Sequence, residues 1–223
     1  IDLALLEGRA KVAINGSLQA IERYPNGDRD PIQGTFLLRL GTAQLQAGDR
    51  VGATQAIHKA RELLVSHGHR SRLAEAQLFE AVLALGRGHA RTARIRVDPV
   101  IATARAFSSE RLLSMGWALK LHIAAVMNDR VAARAAITGR SAKTKSAENM
   151  WRLALARWYR SQRDLPQAVH VADYERSHTA ESVALAIECT SSLIAMNSLD
   201  EAKKHLDFAL RVARKREYSE LLT

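Results

Sequence analysis

The chain has 223 residues, 47% hydrophobic and 25% charged, enough apolar content to bury a core and too much for a disordered tail. Only 5% is aromatic, and Ala and Leu dominate over the β-branched and aromatic residues of a sheet protein, which excludes an all-β fold and favours helix. The formal net charge is +10, no apolar run approaches the roughly 20 residues needed to cross a bilayer, and the single cysteine, Cys189, excludes an internal disulfide and a thiolate zinc site. The expected location is the cytoplasm, with no membrane contact. A start at Ile1 and a stop after a basic helix suggest a region of a longer protein.

A short signature recurs along the chain wherever one helical stretch gives way to another. In order it reads Asn15-Gly16-Ser17-Leu18-Gln19-Ala20, Gly48-Asp49-Arg50-Val51-Gly52-Ala53, Gly88-His89-Ala90-Arg91-Thr92-Ala93, Asn128-Asp129-Arg130-Val131-Ala132-Ala133, Arg163-Asp164-Leu165-Pro166-Gln167-Ala168 and Asn197-Ser198-Leu199-Asp200-Glu201-Ala202. The first position is Gly or Asn in five of six copies, the residue types that enter the left-handed conformation at least cost and so end a helix. The second is Asp or Ser in four of six, a side chain that caps the free amides of the next helix. The closing alanine is small enough for close helix approach. Its positions are 33, 40, 40, 35 and 34 residues apart, one helical hairpin per interval.

The elements flanking these turns are amphipathic. Leu37, Leu40, Gly41 and Leu45 precede the second turn, and Ile57, Ala60 and Leu63 follow it; Val97 and Val100 follow the third. Trp117, Leu121 and Ala124 precede the fourth turn, with Ile137 behind it, and Trp151, Leu155 and Trp158 precede the fifth. Leu206, Ala209 and Val212 close the series. The polar run from Thr138 to Ser146 reads as a loop or hinge. The expected architecture is an all-α, right-handed α-solenoid of about six hairpins, roughly 1–30, 31–70, 71–108, 109–144, 145–178 and 179–217, forming one domain.

Leu40-Gly41, Gly48, Ala53, Ile57, Ala60 and Leu63, with Leu155, Tyr159 and Ala168 and with Ala202, Leu206 and Ala209, resemble the tetratricopeptide (TPR) pattern, although the aromatic after Leu-Gly and the closing Pro are missing. The stretch from Leu73 to Gly116, with its elements EAVLALGRG, VIATARAF and RLLSMG, further resembles the helical-repeat region of the large ATP-dependent LuxR-family regulators of the MalT type. That resemblance implies an interaction or effector-sensing role between a nucleotide-binding switch domain and a DNA-binding helix-turn-helix. Neither flanking domain lies in this sequence.

Catalytic chemistry finds no support in the residues. Gly86-Arg87-Gly88 lacks the Gly-Lys-Ser/Thr ending of a phosphate-binding loop, His67-Gly68-His69 lacks a third ligand nearby, and Cys189 lies on an apolar helical stretch that suits packing. No enzyme activity, metal or cofactor is expected. If the first helix of each hairpin lines a concave face, as the resemblance implies, its polar residues are the candidates for ligand contact: Thr42, Gln46, His122, Arg157, Arg160 and Ser191. Arg157 and Arg160, three apart on one helix and near His122 of the preceding hairpin, would form an anion-binding patch. Leu38, Leu45, Leu78, Val82, Leu85 and Ile194 on the same face suit either an apolar peptide partner or superhelical packing. The lysine and asparagine clamp of chaperone-tail-binding TPR proteins is absent, with Leu38 and Thr42 at the matching positions of the best repeat.

Lys203, Lys204, Arg211, Arg214, Lys215 and Arg216 make the densest basic region, but no side chain recurs at fixed repeat positions as nucleic-acid reading would require, so nucleic-acid contact is not the favoured reading. The expectation is a non-catalytic domain of a bacterial transcription regulator that binds a protein, a peptide or a small effector and has some capacity to self-associate. The alternatives are a TPR adaptor holding a partner's peptide or helix and, for its charge alone, a basic nucleic-acid binder.

Overall fold

A computed structural model describes residues 9–24, 31–139, 145–173 and 180–216. Among the described residues all regular structure is helical: α1 (Ala10–Arg23), α2 (Pro31–Gln46), α3 (Arg50–Ser66), α4 (Arg70–Gly86), α5 (Ala90–Ala106), α6 (Glu110–Met127), α7 (Arg130–Thr138), α8 (Lys145–Ser161), α9 (Leu165–Ala172), α10 (Ala180–Ala195) and α11 (Leu199–Arg216). None of these helices is long and apolar enough to cross a membrane. The chain divides into two compact units, one taking in Ile1–Thr103 and the other Ala104–Lys215.

The junctions are built as the residue chemistry requires. Left-handed backbone occurs at Gly48, Gly68, Gly88, Ser108, Asn128, Arg163 and Asn197, with φ between 50° and 83°. At each, the left-handed residue's amide reaches back three residues and the following amide reaches back five, as in Asn128 N to Ala125 O at 3.2 Å and Asp129 N to Ala124 O at 2.9 Å. This Schellman arrangement uses up the orphan carbonyls of the finishing helix. Asp49 and Asp129 then cap the next helix, accepting from Gly52 N at 2.8 Å and Ala132 N at 2.9 Å, and Asp164 accepts from Gln167 N at 3.3 Å. The first five junctions fall every twenty residues from Gly48 to Asn128. The two 40-residue intervals of the signature are therefore each two equal helix-plus-turn steps, with Gly68 and Ser108 supplying intermediate breaks.

Five of the six signature copies sit at such turns, and their alanines at 53, 93, 133, 168 and 202 are buried. The copy at Asn15 does not: Asn15 and Gly16 lie inside α1, and Ser17, instead of capping a new helix, donates to Ala13 O at 2.7 Å. A Gly within an otherwise continuous helical pattern costs too little to break it when the apolar face runs through on both sides.

In the first unit α2 packs against α1, α3 and α4, and α3 also packs against α4. Leu37, Leu38, Ala53, Ile57, Ala60, Leu63, Leu64, Ala76 and Leu83 form one buried cluster. Gly41 allows a close α2–α3 approach, because a Cβ there would fall 2.6 Å from Ile57 Cγ1 and 3.2 Å from Ala53 O. Carboxylates of α4 tie the helices laterally: buried Glu75 meets Arg39 of α2 at 3.1 Å as well as Arg72 of its own helix at 2.9 Å, while partly buried Glu80 meets Arg61 of α3 and Arg96 of α5. Helix α5 runs on through Pro99, which sits on its exposed side.

In the second unit α6 packs on α7 and α8, α8 on α9 and α10, and α9 on α10. Trp117, Trp151 and Trp158 are buried, and Arg105 and Lys120 lie 5.3 and 5.4 Å from the centroid of Trp117. Gln162 links consecutive turns, donating to Asn128 Oδ1 at 2.9 Å and accepting from Arg130 Nε at 3.0 Å. Ile137 and Leu206, expected on apolar seams, are about 40% exposed, whereas Ala136, Ala209 and Val212 beside them take the buried positions. Most of the polar run from Thr138 to Ser146, residues 140–144, lies outside the described residues, as do 1–8 and 25–30 of the expected first hairpin.

Candidate binding cleft

Four of the six candidate residues come together in the second unit. His122 on α6, Arg157 and Arg160 on α8, and Ser191 on α10 line one cleft of about 520 Å³, with Ala125, Val126, Ser161, Ile187 and Glu188 completing its walls. Three helices that each precede a left-handed turn thus contribute to one surface. The spacing places His122 and Arg157 eleven residues before the buried alanines of their own turns, at 133 and 168, and Ser191 eleven before Ala202, so equivalent points of successive hairpins face the same space.

The residue that the sequence reading missed is Glu188. It is 4% exposed, yet its carboxylate accepts from Arg157 Nε at 3.4 Å, from Arg160 Nη2 at 3.4 Å and closely from Arg160 Nε. Its signal was a lone acidic side chain inside an otherwise small and apolar run, from Ser182 to Ala195, where an unpaired charge would be costly. The expected cationic patch is consequently an Arg–Glu–Arg cluster in which two part-exposed guanidinium groups close over a buried carboxylate. Two guanidinium charges and one carboxylate leave a single net positive charge.

Arg157 also places Nη1 3.2 Å from His122 Nδ1 and 3.4 Å from Nε2, joining α6 to the cluster. Burial, then the charges of Arg157 and Arg160, lower the His122 pKa to about 3, so its ring is neutral at pH 7 and can accept from a guanidinium. Burial also pulls Arg157 below the usual arginine range, with Glu188 opposing that shift. Ser191 and Ser161 turn their hydroxyl protons inward, to Ile187 O at 2.9 Å and Trp158 O at 2.7 Å, and offer the cleft oxygen lone pairs rather than donors. Donation into the cleft falls to the arginines, whose Arg157 Nη2 and Arg160 Nη1 make none of the bonds described above.

The other two candidates do not join this site. Thr42 and Gln46 lie on α2 of the first unit, where Thr42 donates to Leu38 O at 2.8 Å and Gln46 is half-buried. Of the apolar groove residues, Leu38 and Leu78 are wholly interior and serve packing, Leu45 and Leu85 are partly buried, and Val82 and Ile194 are exposed. Cys189 is buried 3.8 Å from His205 Nε2, and burial with Glu201, Asp173 and Glu188 pushes its thiol up to about 11, an unreactive state at neutral pH. His67 bonds locally to Ser66 and Leu63 O, and among the described residues no group of three or more His, Cys, Asp or Glu is placed to hold a metal ion. Lys203, Lys204, Arg211 and Arg214 are exposed along α11; the side chains of Lys215 and Arg216 lie outside the described residues. Compared with protein-family models and with curated proteins, the chain matches none.

Proposed function

We propose that this chain is a TPR-like right-handed α-solenoid that works by binding, as the non-catalytic interaction and effector-sensing region of a cytoplasmic bacterial transcription regulator of the MalT type. The observation that carries the binding reading is the cleft of His122, Arg157, Arg160, Glu188 and Ser191, a concavity with charged donors and apolar walls built from three alternate helices, α6, α8 and α10. The twenty-residue helix step and the alternating packing of neighbouring helices support the repeat architecture. An occupant that grips α6, α8 and α10 at once changes their relative spacing, and attached domains would report that change.

Removing both arginines is a poor test, since it strands the buried Glu188 carboxylate. Ser191→Glu is better, because it adds a carboxylate at the cleft wall and leaves the cluster's own residues in place. Titration calorimetry with a metabolite panel should give at least one compound that binds the parent chain and is lost in Ser191→Glu. Binding unchanged by that substitution would remove the cleft from the reading. The exposed apolar side chains Val126 and Ile194 favour, as a second reading, an adaptor that holds a partner's peptide. Heat from a peptide library, with none from metabolites, would select it. Reading the natural frame on either side tests the regulator assignment: a nucleotide-binding switch domain upstream and a helix-turn-helix downstream are expected.

A further inference from the structure

We infer that the His122–Arg157–Glu188–Arg160 cleft takes a small monocarboxylic acid with a branched aliphatic body, and that Glu188 is the residue that discriminates against phosphate. This rests on reading the cleft as a binding site and adds the class of ligand.

The charge arithmetic decides the anion. Two guanidinium groups would by themselves suit a phosphate dianion, and such pairs often do so. Here Glu188, 4% exposed, occupies one equivalent of that charge from beneath, and His122 is neutral, so one positive charge is left to balance. A monocarboxylate neutralises it, whereas a dianion would carry excess negative charge against the Glu188 carboxylate in a partly dry site. Carboxylate geometry also matches what the arginines have left to give: N–H groups of Arg157 Nη2 and Arg160 Nη1, from two planar forks on one helix face. Arg157 and Arg160 side chains keep 33% and 45% of their surface exposed, so an anion reaches them without unfolding the cluster.

The rest of the cleft speaks to the ligand's body. A space of about 520 Å³ is far larger than a lone inorganic anion needs and falls within the range of small-molecule sites. Ala125, Val126 and Ile187 give it branched and methyl walls, and Ser161 and Ser191 turn only lone pairs toward it. A polyhydroxylated ligand would find few donors for its oxygens besides the two arginines. A short branched hydrocarbon beside one carboxylate matches the Ala125, Val126 and Ile187 walls and the two arginines.

The test is titration calorimetry of the whole chain with 4-methylpentanoate, with its amide, and with inorganic phosphate, on the parent, Ser191→Glu and Glu188→Gln. On the parent the acid should bind at least tenfold more tightly than the amide or phosphate. Ser191→Glu should weaken the acid at least tenfold. Glu188→Gln, which keeps the shape and removes the charge, should raise phosphate affinity at least tenfold, a change that a merely structural role for Glu188 would not produce. Because Glu188→Gln alters a buried cluster, circular dichroism must show parent-like helicity for it; if it does not fold, the acid, amide and phosphate comparison on the parent alone decides. Equal binding of acid and amide, or phosphate binding as tight as the acid on the parent, overturns the inference. So does a well-folded Glu188→Gln whose phosphate affinity is unchanged. A peptide ending in leucine distinguishes the source of the carboxylate: binding more tightly than the free acid overturns the small-molecule assignment. Silence with all these probes, while a metabolite sensitive to Ser191→Glu still binds, removes the ligand class and leaves the cleft; silence throughout removes both.

Discussion

Arg163 takes a left-handed φ of 62° at a junction where Gly48, Gly68 and Gly88 elsewhere occupy the same geometry. A side chain with a Cβ pays about 1 kcal/mol there, so Arg163→Gly should stabilise the chain by roughly that amount, seen as a higher urea midpoint at unchanged slope. His122 makes an opposite kind of demand. Its folded pKa is lowered to about 3 from 6.5, so the unfolded chain binds the proton more readily between those values. The stability this neutral ring contributes is present above about pH 6.5 and is lost progressively as pH falls toward 3. In denaturation series at pH 7, 5.5 and 4.5, His122→Phe should lose less stability with acid than the parent; equal losses would show that His122 does not carry this term. Gly48, Gly88, Asn128 and Asn197 were readable from sequence because Gly and Asn have a strong preference for that conformation, whereas the break at Gly68 fell outside the recurring signature. Ser108 was not readable, since serine carries no such preference and only the tertiary path of the chain imposes its φ of 50°.

At the scale of the helix, small residues set the spacing. Gly41 faces Ile57 Cγ1 so closely that Gly41→Ala must displace a fully buried side chain or separate α2 from α3. The expected cost is about 1–3 kcal/mol, against the small gain in helix propensity that an alanine would otherwise bring, and thermal unfolding should show a lower midpoint. The helices themselves were legible because capped turns and apolar periodicity agree, as at Asp49, Asp129 and Asp164. The reading failed at a few points where these signals did not coincide. Asn15-Gly16 had the turn residues without a cap, and α1 runs through them. Ile137 and Leu206 had the hydrophobicity without a buried position, and both keep about 40% of their surface exposed.

At the scale of the whole chain, a net charge of +10 hides how the arginines are used. Arg39, Arg72, Arg61, Arg96, Arg157 and Arg160 are paired in twos around Glu75, Glu80 and Glu188, and all of them but Arg72, which shares a helix with Glu75, fasten one helix to another. Periodicity placed Arg157, Arg160, His122 and Ser191 on equivalent faces. It did not identify Glu188, because pairing between helices some thirty residues apart leaves no local pattern. Arg157→Ala with Arg160→Ala should therefore cost about 3–5 kcal/mol in chemical denaturation, the scale expected when a buried carboxylate loses its partners. Adding Glu188→Leu to that pair should recover most of the loss, and failure to recover would show that the arginines act through packing alone. The matching turns also make the chain divisible. Excising residues 129–163 would join Asn128 directly to Asp164, a left-handed helix end spliced to a capping aspartate, so both chemical halves of the junction survive the cut. The shortened protein should keep its helicity per residue while losing Arg157, Arg160 and with them the cleft. In such a chain the number of helices and the ability to bind are separable properties, one written in the junctions and the other in the faces between them.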